Sequence, residues 1–93
     1  VAIAFIQDPD RKSATPVEIF QSLFGLTFAE ARLALALLNG DSLSDAAELH
    51  RVSLATVRSQ LKSIFHKTET RRQGELVRLL AGAYYPHSDK PAG

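Results

Sequence analysis

From Val17 onward the apolar residues of this chain recur at spacings of three and four, the period that lays a stripe along one side of a helix. Thr15-Pro16-Val17-Glu18 opens the first such run with an N-cap, a proline at the first helical position and a capping-box glutamate. The helix it predicts buries Val17, Phe20 and Phe24, carries Ile19 and Leu23 alongside, and stops at Gly25. A second capping box, Thr27 to Glu30, starts a helix to Asn39, with Gly40 as its stop; Glu30 needs no role beyond that cap. Ser42 to Asp45 starts a short helix through His50, and Ser53 caps a longer one from 54 to 69. A last helix begins at Thr70 or Arg71 and runs to about Ala83, where Tyr84-Tyr85-Pro86 closes it.

The pattern differs at the two ends. Val1-Ala2-Ile3-Ala4-Phe5-Ile6 reads as a short buried strand, yet nothing later in the chain is suited to pair with it. Residues 1–7 are therefore expected to be the remnant of an upstream sensor domain. The polar stretch from Gln7 to Ala14, with Pro9 inside it, reads as a linker. The predicted organisation is remnant strand and linker over 1–14, a helical domain over 15–85, and a disordered tail over 86–93. The fold class is all-α.

Composition narrows the function classes. Ninety-three residues, 45% hydrophobic and 23% charged, make one small globular domain without room for a lidded active site. Cysteine is absent, which removes disulfide frameworks and thiolate metal sites and fits a reducing cytoplasm. No run of about eighteen apolar residues suggests a membrane span, and no signal peptide is recognisable. His50, His66 and His87 lack ligand spacing, so no metal is expected. No serine–histidine–acid set, phosphate-cradling glycine loop or carboxylate pair is visible. Neither an enzyme, a cofactor nor a small-molecule ligand is expected.

Charge sharpens the picture. The net charge is only +1, but residues 1–50 carry three bases and seven acids. Residues 51–72 carry six bases, Arg51, Arg58, Lys62, Lys67, Arg71 and Arg72, against Glu69 alone. Such concentration on a small domain is the footprint of polyanion binding, or simply a solvated basic surface. The helix at 54–69 separates its faces: Val57, Leu61, Ile64 and Phe65 share one side, while Arg58, Ser59 and Lys62 fall elsewhere. Behind it, Ala46 and Ala47 are small enough for a close helix crossing, and Val52 plugs the turn. This is a helix-turn-helix pattern. Arginine can fork onto guanine O6 and N7, lysine can reach guanine or phosphate, and Ser53 and Thr56 can hold phosphate near the helix N-terminus. Lys67, Arg71 and Arg72 can grip the backbone on the flank.

Residues 25–81 resemble the DNA-binding domain of LuxR-type bacterial transcriptional regulators. The matching landmarks are Leu26-Thr27 with Glu30, Gly40, Ala47, Val52-Ser53, Thr56-Val57-Arg58, Leu61, Ile64-Phe65, Lys67, and Glu75 to Leu80. The resemblance implies a four-helix core, here with one extra N-terminal helix that can connect to a sensor. It implies docking of helix 54–69 in the major groove of double-stranded DNA as a homodimer, with RNA polymerase as a possible further partner. It places base reading on Arg58, Ser59 and Lys62 and phosphate contact on Thr56 and Lys67; Ser53, Val57 and Arg71 complete the DNA-facing set. Dimerisation through the last helix falls on Arg72, Leu76, Leu79, Leu80 and Ala83, of which Leu76 and Leu80 also suit the core. Three positions depart from the family pattern. His50 replaces a core leucine, whose packing Leu49 is expected to take over. Glu69 replaces a helix-ending glycine, which favours a longer helix or a different turn because a left-handed glutamate costs about 1 kcal/mol or more. Gly74 lies inside the last helix, at a cost of about 1 kcal/mol relative to alanine. Two rivals remain: a sigma-factor region 4-like promoter reader, against which the ordered last helix argues, and a helical interaction module that binds no DNA.

Overall fold

The computed structural model describes residues 15–84, and all its regular elements are helices. They are α1 (Pro16–Phe24), α2 (Phe28–Leu38), α3 (Leu43–His50), α4 (Leu54–Thr68) and α5 (Gln73–Tyr84). The expected strand and linker at 1–14, the closing Tyr85-Pro86 and the tail to residue 93 lie outside the described residues.

Local chemistry sets the first three starts. Thr15, Thr27 and Ser42 each accept a hydrogen bond from the backbone N–H three residues on, at 3.2, 3.1 and 3.0 Å. Glu18, Glu30 and Asp45 return the bond to the cap's own N–H, so two orphan donors are satisfied at each start. The ends are less obvious from sequence. α2, α3 and α4 all finish in a six-to-one backbone bond, Asp41 N–H to Ala36 O, Val52 N–H to Ala47 O and Thr70 N–H to Phe65 O. The left-handed residue is a glycine only in the first, at Gly40; it is Arg51 (φ 59°) in the second and Glu69 (φ 56°) in the third.

Glu69 corrects the expectation of a longer helix or another turn. α4 stops at Thr68 and Glu69 adopts the left-handed cap. The Thr70 N–H bond to Phe65 at 3.0 Å and the Thr68 hydroxyl bond to Ile64 O at 2.8 Å offset the strain. That cap also moves the last helix: Thr70 to Arg72 form the connection, and α5 begins at Gln73 rather than at 70 or 71. Glu69→Gly is expected to raise the unfolding free energy by about 0.5–1 kcal/mol, the left-handed cost less glycine's extra unfolded-state entropy. A urea midpoint unmoved or lowered by this substitution would show that the cap carries no strain.

α2 is the centre. Its sequence, FAEARLALALL, is apolar nearly all round, which suits a helix packed on several sides. It contacts α1, α3, α4 and α5, and its Ala31, Leu33, Ala34, Ala36 and Leu37 are buried. Around it stand Phe20 from α1, Ala46 and Ala47 from α3, Val57, Leu61 and Ile64 from α4, and Leu76 and Leu80 from α5. Each of the large side chains stabilises the fold by about 1.5–3 kcal/mol through burial. α1 is therefore part of the same core, docked on α2 and α5. Its Leu23 leaves the expected face and is 58% exposed. Leu49 also departs from expectation: it is 67% exposed and does not replace the missing leucine, while His50 takes the half-buried place.

Candidate nucleic-acid interface

α3 and α4 meet through Arg51-Val52-Ser53, a connection held by the left-handed Arg51 and the half-buried Val52. Val57, Leu61 and Ile64 press α4 onto the core, which fixes the opposite face toward solvent. On that outer side lie Arg58, Ser59 and Lys62, all exposed. At about 100° per residue Arg58 and Lys62 sit within one stripe, with Ser59 beside them. Neither base forms an ion pair among the described residues, where the single salt bridge joins Lys67 to Glu30.

The N-terminal end of α4 is organised by two hydroxyls. Ser53 Oγ accepts from the Thr56 N–H at 3.0 Å and donates its own hydrogen to Thr56 Oγ1, also at 3.0 Å. The hydroxyl hydrogen of Thr56 is thereby left to reach an outside acceptor, next to the unsatisfied N–H groups of the first turn. A phosphate oxygen fits that arrangement. Arg71 and Arg72 stand exposed just before α5. The Arg71 N–H donates to Glu75 Oε1 at 2.9 Å. That bond leads the effects that lower the Glu75 pKa, with a further bond and the charges of both arginines acting the same way.

Three candidate residues fall inside the fold instead. Val57 is wholly buried, so it holds α4 in place and reads no base. Leu76 and Leu80 are likewise wholly buried and cannot meet a second copy, because their side chains fill the space under α5. Of the dimerisation set, Arg72 and Leu79 are exposed and Ala83 is half-buried.

Lys67 is tied into the fold in a way that its sequence position did not announce. Its Nζ lies 2.7 Å from Glu30 Oε1, and Ser63 Oγ donates to Glu30 Oε2 at 2.7 Å. Glu30 is thus more than a capping-box residue: it ties the start of α2 to the last turns of α4. Burial would raise its pKa, but bonds from Lys67, the Thr27 backbone and Ser63, with the Lys67 charge, outweigh this and hold it at about 2. A sequence signal existed. Ser63 and Lys67 are one turn apart on α4, off the core stripe, and so can meet one acceptor.

His50, facing α2, has its pKa lowered by burial and by the Arg32 charge, against the opposing pull of Asp41. Among the described residues no three histidine, aspartate or glutamate side chains gather into a metal-sized group. No single described helix is long and apolar enough to cross a membrane. No family model, curated protein or solved structure matches this chain.

Proposed function

We propose that this domain binds duplex DNA sequence-specifically, as the output domain of a LuxR-type transcriptional regulator. The observation that carries the reading is the outer face of α4. Arg58, Ser59 and Lys62 stand exposed and side by side on a helix whose opposite face is locked into the core. A rigid helix with a free guanidinium and ammonium one turn apart matches the depth and the acceptor pattern of the major groove. Ser53, Thr56 and Arg71 supply phosphate contacts around it, which set orientation without reading sequence.

On this reading two copies dock α4 in successive grooves about one helical turn apart. Leu79, exposed on α5, offers the apolar part of a pairing surface, with the half-buried Ala83 one turn on and Arg72 at its edge. α1, packed against α5, connects that surface to whatever precedes it. A cytoplasmic regulator that engages RNA polymerase is consistent with this scheme.

Arg58→Ala tests it. The substitution is expected to cost about 1–3 kcal/mol on a duplex selected from a random pool, and to relax preference at the contacted base pair. Fluorescence anisotropy across a salt series checks this, since the parent protein's affinity should fall steeply with ionic strength. Unchanged affinity and preference in the variant would exclude docking through α4. Absence of duplex binding by the parent even at low salt would favour the interaction-module reading.

A further inference from the structure

Asn39 is the single asparagine in the chain, and a glycine follows it. That pair carries its own chemistry. When the Gly40 amide loses its proton, the nitrogen can attack Cγ of Asn39 and expel the side-chain nitrogen as ammonia. The product is a succinimide ring. Water opens it at either carbonyl and leaves aspartate or isoaspartate at position 39. No reagent beyond water and base is needed. Glycine hinders the attack least of all successors, because it has no Cβ and turns freely about φ.

The fold exposes the reacting groups and also keeps them from meeting. Both residues are exposed, and the Asn39 side chain has no hydrogen-bond partner among the described residues. A Cβ built on Gly40 would meet nothing within 4 Å, so the ring has room to form. The backbone is the obstacle. Asn39 is the C-cap of α2, at φ −78° and ψ −1°. At that ψ the Gly40 nitrogen eclipses the Asn39 nitrogen, whereas ring closure needs it on the Cβ side. The Gly40 N–H is also engaged, donating to Leu37 O at 3.0 Å, and the Asp41 N–H donates to Ala36 O at 2.9 Å. Turning ψ breaks both bonds. The reaction therefore waits for the end of α2 to open, a local event far smaller than unfolding.

We propose that Asn39-Gly40 is a spontaneous deamidation site gated by the α2 cap, at which the domain is modified irreversibly whenever that cap opens. Isoaspartate routes the main chain through Cβ. This adds a backbone atom before Gly40 and displaces the six-to-one bond from Asp41, so the cap does not re-form. Either product also sets a negative charge at the C-terminal end of α2, where the helix dipole opposes it. Because α2 packs against all four other helices, the modified domain is less stable. The inference concerns the end of α2 and stands independently of the reading of α4.

The test incubates the full chain in warm, mildly alkaline buffer beside a synthetic peptide of residues 35–44, which is too short to hold the cap. Peptide mapping by mass spectrometry follows the small mass gain of amide becoming acid. The chain is expected to convert at position 39, at least about tenfold more slowly than the peptide. Ser42→Ala removes the N-cap of α3, whose hydroxyl accepts from the Asp45 N–H at 3.0 Å, and so loosens the same loop. It is expected to speed conversion of the chain about fivefold and to leave the peptide's rate unchanged. Asn39→Gln is expected to suppress the reaction, since the longer side chain closes its ring far more slowly. Equal rates in chain and peptide would overturn the gating, as would a chain rate indifferent to Ser42→Ala. Mass gain confined to other residues, or a chain that never converts while the peptide does, would overturn the site itself.

Discussion

Glu30→Ala is expected to destabilise the domain by about 2–4 kcal/mol and to remove most of its acid sensitivity. The carboxylate is 8% exposed and accepts from the Thr27 N–H, the Ser63 hydroxyl and the Lys67 ammonium. Its folded pKa of about 2 lies below the ordinary value of 4.5. The folded state therefore holds fewer protons than the unfolded one between those values. The stability Glu30 contributes is full above pH 4.5 and is lost as pH falls from there toward 2. The interval corresponds to about 3 kcal/mol, which solvent screening at the partly exposed Lys67 reduces to about 2. Urea unfolding at pH 7 and pH 2.5 measures both quantities. Parent and variant losing stability in parallel across that range would place the acid-sensitive group elsewhere.

The same junction changes what Lys67 can report. As a pure phosphate contact, Lys67→Ala would weaken binding to every sequence and flatten the salt dependence without touching the fold. With its ammonium 2.7 Å from Glu30, the substitution also leaves a buried carboxylate short of a partner. Its effect on the proposed DNA binding must be separated from its effect on stability. The double variant Glu30→Ala/Lys67→Ala is expected to lose less than the sum of the single losses, the signature of a coupled pair.

Phe20→Ala is expected to cost about 3–5 kcal/mol, the range for deleting a fully buried aromatic side chain. Phe20 is the one fully buried side chain of α1 among the described residues. Its ring lies 6.3 Å from that of Phe24 and meets Tyr84 of α5 edge-on at 6.4 Å. Those contacts make α1 a structural part of the domain. Chemical unfolding checks the magnitude, and loss of the near-ultraviolet tyrosine signal would follow the loosened Tyr84. A cost below about 1 kcal/mol, the scale of an ordinary surface substitution, would mean that α1 merely rests on the bundle.

The helices themselves were legible because their signals are local. A threonine or serine cap, an acid three residues on and an apolar residue every third or fourth position act over a single turn. The first three helices carry all of these signals, α4 its serine cap and stripe, and α5 the stripe alone, so that its start is the boundary read least closely. The failures lie where a residue's fate depends on a neighbour distant in sequence. Leu49 and His50 are adjacent, and either can pack inward until the path of α2 decides that His50 does. Val57, Leu76 and Leu80 are different: the apolar stripe already marked them as core, and the structure buries all three.

The sequence by itself determined the helical class, the starts of α1 to α4, and the exposed set Arg58, Ser59 and Lys62 on α4. Tertiary structure alone decided that Glu30, Ser63 and Lys67 form one junction, across separations of 33 and 37 residues. It decided too that Arg51 and Glu69 accept left-handed strain. The physical reason is the same in both cases. Capping and periodicity balance energies within one turn of chain, whereas a buried carboxylate or a strained cap is tolerable only when packed helices bring it enough partners.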